Sequence, residues 1–388
     1  MRGHFFFLLS IFVFATQSLP ADVGRCRYLF IDEYTQEAKP SQAPLRKKPD
    51  LRIATWNLQD FLAPNSINGS NQNGSAKIDP VKPKGYRVTK AENNTQDIKP
   101  KSRHVSVYPK SKKKIRAAQE VIADIGADIF VLNEVVGEKS TRVLDPHKEY
   151  LHIGNTPVDS RGLQTTFMVK KHLNVDVELY LPSSINESVS LKRGLPTLLL
   201  RQKNADGFVD VNAKPDLMIM GVHLLSQLRL EGDRLAEVKK GEAKLIADAA
   251  RELEAMHPDV PLLIMGDFNI HLPAKFKTKD LEDTFVRSIH NLLPEAKPEE
   301  ATYSYIRILK KQRKSVFITA QTLDSLSINE TASRRLIDSF VYRFRDENAK
   351  DKVYKDHQGN ESLVPVNHHQ RKQNPSDHMP VVADFNME

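Results

Sequence analysis

Short apolar runs in this chain repeatedly stop at a residue able to bind a metal ion or a phosphate: Asn57, Glu134, His223, Asp267 with Asn269, and the pair Asp377-His378. Each alone is explained as a polar cap where a strand meets solvent. Five together constrain the fold much more, because layered α/β architectures gather ligands at strand ends. The runs read as buried strands at Leu51 to Leu58, Ile129 to Leu132, Thr165 to Val169, Thr197 to Leu200, Leu217 to Val222, Pro261 to Met265, Leu336 to Tyr342 and Pro380 to Phe385. Two segments carry helical spacing instead. Ile115, Ala118, Ile122 and Ile125 share a face over 113–125, which Gly126 ends, and Leu235, Val238, Leu245, Ala249 and Leu253 share one over 234–256.

The 388 residues, 40% hydrophobic and 27% charged, suffice to bury a sizeable core. Met1-Arg2-Gly3-His4 followed by the apolar stretch Phe5 to Ala15 has the form of a signal peptide, expected to span 1–21. The stretch falls short of the roughly 20 residues a bilayer-spanning helix needs. Export to the periplasm or outside is therefore expected, with no stable membrane span after removal. Residues 22–50 read as a leader or linker, and 51–388 as the main domain. The single cysteine, Cys26, excludes an internal disulfide. Within the main domain, 63–112 turns to Asn, Gly, Ser, Pro and Lys and reads as a loop insertion. It grows basic toward its end, at Lys99, Lys101, Arg103, His104, Lys110 and Lys112 to Lys114. The net charge of +8 favours an anionic partner: nucleic acid, phospholipid headgroups or another phosphate-bearing substrate.

The candidate residues comprise carboxylates (Glu134, Asp267, Asp338, Asp377), amides (Asn57, Asn269) and imidazoles (His223, His378). No Cys or His pair has zinc-finger spacing. Oxygen-rich donor sets suit hard cations, Mg²⁺ first, with Mn²⁺ or Ca²⁺ as alternatives. Phosphodiester hydrolysis needs the phosphate charge neutralised, a water deprotonated and the leaving oxygen stabilised. A carboxylate-held divalent ion serves the first need, and a histidine oriented by a carboxylate serves the second.

Thr55-Trp56-Asn57-Leu58-Gln59, Leu132-Asn133-Glu134, Gly221-Val222-His223-Leu224, Gly266-Asp267-Phe268-Asn269, Leu336-Ile337-Asp338 and Ser376-Asp377-His378 together resemble the endonuclease/exonuclease/phosphatase superfamily, in its order, from Leu51 onward. The resemblance implies an α/β (α+β) four-layer sandwich, two packed mixed β-sheets flanked by helices, with the site at one end of the sheets. It implies Glu134 as principal metal ligand, with Asn57 close by and Asp377 contributing. His378 becomes general base or phosphate partner, oriented by Asp338. Asp267 and Asn269 position nucleophile and phosphate, and His223 binds phosphate or helps at the leaving side. Arg161 and Arg193, each followed by glycine, are similar to phosphate-contacting arginines of the family. Gln59 stands where abasic-site endonucleases carry an aspartate, which places the likeness nearer the deoxyribonuclease-like, sphingomyelinase-like and inositol-phosphatase-like branches. The expected protein is a secreted, monomeric, metal-dependent phosphodiesterase acting on DNA or RNA. The alternative is a sphingomyelinase-like or inositol-phosphate phosphatase-like enzyme. Tyr303 and Tyr305, with Lys310, Lys311, Arg313 and Lys314, read as a nucleic-acid contact or a hairpin with a charged tip. His271 and His368-His369 read as surface residues, and Trp56 as core.

Overall fold

Strand alternation sorts the apolar side chains of this protein into two sheets that share one inner face. The computed structural model describes residues 49–64, 85–91, 109–154, 156–159, 161–182, 191, 193–226, 232–269, 323–342 and 375–387, with the backbone of short strands at 68–70, 76–78, 103–105, 303–308, 316–321, 352–355 and 361–364. The expected signal peptide, nearly all of the leader, Cys26, His271, the charged tip at 309–315 and His368-His369 lie outside the described residues.

In chain order the elements are β1 (Leu51–Phe61), β2 (Asn68–Ser70), β3 (Ala76–Ile78), β4 (Arg87–Lys90), β5 (Arg103–Val105), α1 (Lys112–Ile125), β6 (Ile129–Val135), α2 (Gly137–Leu144), β7 (Tyr150–Ile153), β8 (Gln164–Lys170), β9 (Val175–Leu181), β10 (Thr197–Gln202), β11 (Leu217–His223), α3 (Gly232–Met256) and β12 (Leu262–Asp267). There follow β13 (Tyr303–Ile308), β14 (Val316–Gln321), β15 (Asp324–Ile328), α4 (Glu330–Ser333), β16 (Leu336–Val341), β17 (Lys352–Lys355), β18 (Glu361–Val364) and β19 (Val381–Phe385). Two six-stranded sheets result, ordered β16-β19-β1-β6-β8-β7 and β15-β12-β11-β10-β9-β4. Both are mixed, with β1 parallel to β6 in the first, β11 parallel to β12 and β4 parallel to β9 in the second, and antiparallel neighbours elsewhere.

Leu51, Ile53, Ile129, Val131, Phe167 and Val169 of the first sheet meet Leu179, Leu198, Leu217, Ile219, Leu263 and Leu326 of the second in one buried cluster. The opposite faces carry the other parity. Ala54, Trp56, Phe130 and Leu132 pack under α1, and Met218, Met220, Leu262 and Ile264 pack under α3. This is the four-layer sandwich expected from the sequence. α1 follows its apolar spacing closely. The Ser111 side chain accepts from Lys114 N–H at 3.3 Å, and Gly126, at φ +61°, sends its N–H to Ile122 O at 3.0 Å. α2 escaped the apolar pattern because its buried face consists of Glu138, Ser140, Thr141 and Leu144.

The insertion is not uniformly loop. β4 joins the outer edge of the second sheet, parallel to β9, while β2, β3 and β5 form a small sheet of their own. The chain departs after Leu62 and returns at Lys110, whose N–H donates to Leu62 O at 2.8 Å. Tyr303 and Tyr305 do lie on a hairpin, β13 with β14. No helix among the described residues is long and apolar enough to cross a membrane.

β12 approaches β11 closely at Gly266, which has φ +147°; a Cβ there would sit 1.9 Å from Val222 O. Gly266→Ala is expected to destabilise the protein by on the order of 3 kcal/mol, as backbone clashes of this kind do. Gly207→Ala, at φ +80° in open space, should cost roughly 1 kcal/mol. Urea unfolding of both variants checks the difference.

Candidate active site

The parity that makes the core also makes the site. Leu51, Ile53, Thr55 and Asn57 of β1 share the inner face, as do Leu217, Ile219, Gly221 and His223 of β11, and Leu263, Met265 and Asp267 of β12. Apart from Thr55, each inner row is apolar until its last position. His223, Asp267 and Asp324 are direct register partners across β11, β12 and β15. Asn57 and Asn133 are partners across β1 and β6. The two rows meet where Asn57 Nδ2 donates to Asp267 Oδ2 at 2.8 Å, between two side chains that are each about 1% exposed.

Asp267 is held from three sides. Asn269 donates to it through its backbone N–H and its side-chain Nδ2, both at 2.8 Å, with φ +48° wrapping the chain back. Asn269 also reaches Leu224 O at 3.1 Å. Burial, reinforced by the charge of Asp324 and opposed by His378, pushes the Asp267 carboxyl above its ordinary value.

Glu134 would face outward by alternation. A register shift between Leu132 and Val135 and a left-handed φ of +59° turn it toward the inner face. Its Oε2 accepts Asp60 N–H at 2.9 Å, and its Oε1 lies 3.5 Å from His223 Nε2 and 3.8 Å from Arg161 Nη2. Burial works against its charge, but His223, Arg193 and Arg161 hold it well below the carboxylate range. β1 distorts similarly, with Gln59 and Asp60 both left-handed at φ +50° and +51°. Four of the seven non-glycine residues with positive φ among the described residues thus belong to this site, where local backbone strain tends to collect. Burial and Arg193 lower the pKa of His223, and its Nδ1 is buried with no partner among the described residues.

Arg161 and Arg193 converge through Asp159, which the sequence showed only as a flanking residue. Arg193 Nη2 is 2.8 Å and Arg161 Nε 3.3 Å from Asp159 Oδ2, while Arg161 Nη1 reaches Asp60 Oδ1 at 2.8 Å.

The segment 376–378 is latched to β1. Ser376 Oγ donates to Asn57 O at 2.5 Å, His378 N–H donates to Ser376 Oγ at 3.0 Å, and Trp56 Nε1 donates to His378 O at 2.9 Å. Trp56 is therefore both core and latch. His378 Nδ1 pairs with Asp324 Oδ2 at 2.7 Å. Burial lowers its pKa, but Asp324 outweighs this and, with Asp267 and Asp377, raises it to about 10. The expected orienting partner, Asp338, lies elsewhere. It pairs in register with Asp384, whose β1 partner is Arg52, five residues before Asn57. Asp324 takes that place because β15 runs antiparallel to β12, so its first residue, not its last, is at the site.

The donors fit a divalent cation. Asp377 Oδ1 is buried without a partner among the described residues while Oδ2 accepts from Gln59 Nε2 at 2.9 Å. Glu134 is held ionised by His223, Arg193 and Arg161. A second oxygen-rich group, Asp267, Asp324 and His378, brings ligand atoms within 4.8 Å of one another. In that group Asp324 Oδ2 pairs with His378 Nδ1 at 2.7 Å, and its oxygen-rich donors suit a hard cation.

No protein-family pattern matches the chain, and no curated protein does. Among solved structures it is similar to D. rerio TDP2 complexed with single strand DNA product (11% identity, 87% of this chain, 98% of that chain, TM-score 0.45). It is also similar to beta toxin from Staphylococcus aureus (14%, 87% and 100%, 0.45) and to a Bacteroides thetaiotaomicron mannosyl-6-phosphatase (13%, 87% and 99%, 0.44). Likeness at this level assigns neither activity nor substrate.

Because the folded pKa of His378, about 10, lies above the unfolded value of roughly 6.5, its stabilisation is fully present below about pH 6.5 and is lost as pH rises through about 10. Asp324→Asn should bring the His378 ring titration down toward 6.5, followed by NMR, and flatten the loss of stability at high pH. Asp338→Ala should leave that titration where it was.

Proposed function

We propose that this protein is a divalent-metal-dependent phosphoesterase of the endonuclease/exonuclease/phosphatase type, with nucleic-acid phosphodiesters as substrate, acting after export. The observation that carries this reading is the joining of Asn57, His223, Asp267, Asp324 and His378 at one end of the sandwich, with Glu134 turned in beside them. The net charge of +8 favours a polyanionic substrate, and the apolar run from Phe5 to Ala15 favours export.

A divalent ion on Glu134, Asn57 and Asp377 would neutralise phosphate charge. The chain's own residues supply the rest. Asp267, raised by burial, has the proton affinity to take a proton from the attacking water. Water oxygen then bonds to phosphorus, and the ester P–O bond breaks with its electron pair on the departing oxygen. His378, kept protonated by Asp324, offers a cation to the charge that develops on phosphate oxygens. Of the two roles expected for His378, this reading takes phosphate partner rather than base. Arg161 and Arg193, clamped by Asp159, present planar donor forks to the phosphate. Asn57 and Asn269 fix the orientation of Asp267.

Purified protein should degrade plasmid DNA or RNA with Mg²⁺, and EDTA should stop it. Glu134→Ala, His378→Ala and Asp324→Ala should each lower the rate at least about 10²-fold, whereas Asp338→Ala should stay near wild type. A preparation that turns over sphingomyelin or inositol phosphates but leaves every nucleic acid intact would overturn the substrate assignment.

A further inference from the structure

Lys110 marks the point where the insertion re-enters the sandwich. Its N–H donates to Leu62 O at 2.8 Å, just past the distorted end of β1 that carries Asn57, Gln59 and Asp60. Ser111, the next residue, caps α1. The backbone at 110 is therefore fixed on one side by the continuation of β1 and on the other by a helix start, and the half-buried side chain has little freedom of approach.

The charges it senses are Asp60, Asp377 and Glu134 from the site, and Lys114 from α1. Among the described residues its ammonium forms no ion pair with any of them. That separates it from Arg161 and Arg193, both committed to Asp159. A half-buried ammonium with no ion pair among the described residues has capacity left for an anion, and burial followed by Lys114 holds its pKa down at about 8. Such a group is completed by an anion that arrives. The stretch it closes, 63–110, carries nine Lys and Arg against three Asp and Glu, a composition that favours an anionic partner.

We infer that Lys110 is a substrate contact, its ammonium binding a non-bridging oxygen of a phosphate group at the mouth of the site between Asp60 and Asp377. This rests on the phosphoesterase reading and names one more residue by which that site holds its substrate. It also gives the insertion a role, because closing the excursion at Leu62 is what brings Lys110 to the mouth.

The test uses the full chain with Mg²⁺, in wild type, Lys110→Gln, Lys110→Arg and Lys113→Gln, the last removing an exposed charge three residues away on α1. Hydrolysis of bis(4-nitrophenyl) phosphate gives kcat and KM, and calorimetry with inorganic phosphate gives binding without turnover. Lys110→Gln should raise KM and weaken phosphate binding about 10-fold or more, the scale of a lost charged hydrogen bond, with kcat changed much less. Lys110→Arg should recover most of the loss, and Lys113→Gln should behave as wild type. Unchanged KM and phosphate affinity in Lys110→Gln, or an equal loss in Lys113→Gln, would overturn the inference. Should Lys110→Gln fail to fold, the Nζ resonance of Lys110 in ¹⁵N-lysine-labelled wild type decides: a shift on adding phosphate supports the contact, and none refutes it. Lys110-dependent phosphate binding without turnover of any phosphoester would sink the functional reading and leave this contact standing.

Discussion

The hydrogen bond from Asn57 to Asp267 is the point on which the rest of the site depends. Two sheets packed face to face are held about 10 Å apart, and apolar side chains fill that gap along most of their length. At the last inner position the filling becomes an amide from one sheet and a carboxylate from the other. A buried polar pair is tolerable only when its members are satisfied. Asn269 completes the acceptor set of Asp267, and the Gln59 N–H completes the carbonyl of Asn57 at 2.8 Å. The polar layer is thus continuous with the core, and the strands that stabilise the one also aim the other.

Within that layer, carboxylates of similar intrinsic acidity are driven in opposite directions. Glu134 sits among His223, Arg193 and Arg161 and is held ionised. Asp267 sits deeper, near Asp324, and is pushed toward the protonated form. Divergence of this kind between neighbouring acids allows one to stay a fixed charge while the other trades protons. His378 and His223 diverge likewise. The first is paired tightly with a carboxylate, and the second lies 3.5 and 3.6 Å from two of them in a fully buried setting.

The apolar runs were legible because inner and outer rows are both buried, which leaves short, nearly unbroken hydrophobic strands with polar ends. Asn57, His223 and Asp267 follow directly from that pattern. Glu134 was visible as a strand-end residue, but its turn into the site comes from a left-handed backbone that no periodicity reveals. Asp324 was missed because antiparallel β15 presents its beginning. The alternation of Asp324, Leu326 and Ile328 is present in the sequence, but the resemblance pointed to Asp338, the third residue of its own apolar run, instead. Asp159 stands two residues before Arg161, yet nothing in sequence shows one carboxylate serving two arginines 34 and 2 positions away. α2 and β9 hide behind polar residues that bond among themselves, as Glu178 does with Arg201 at 2.9 Å.

The pairing of β1 with β19, in which Leu51 stands opposite Phe385, bears on how this protein is made. The first strand of the sandwich has its neighbour more than three hundred residues downstream, and closing such a contact is a slow, late event in folding. Asp324 and His378, which complete the polar layer, arrive from the same late stretch. A partly folded chain can therefore carry Glu134, His223 and Asp267 and still lack the Asp324–His378 pair that completes the layer. The fold itself thus withholds the complete polar layer until its last strand is in place.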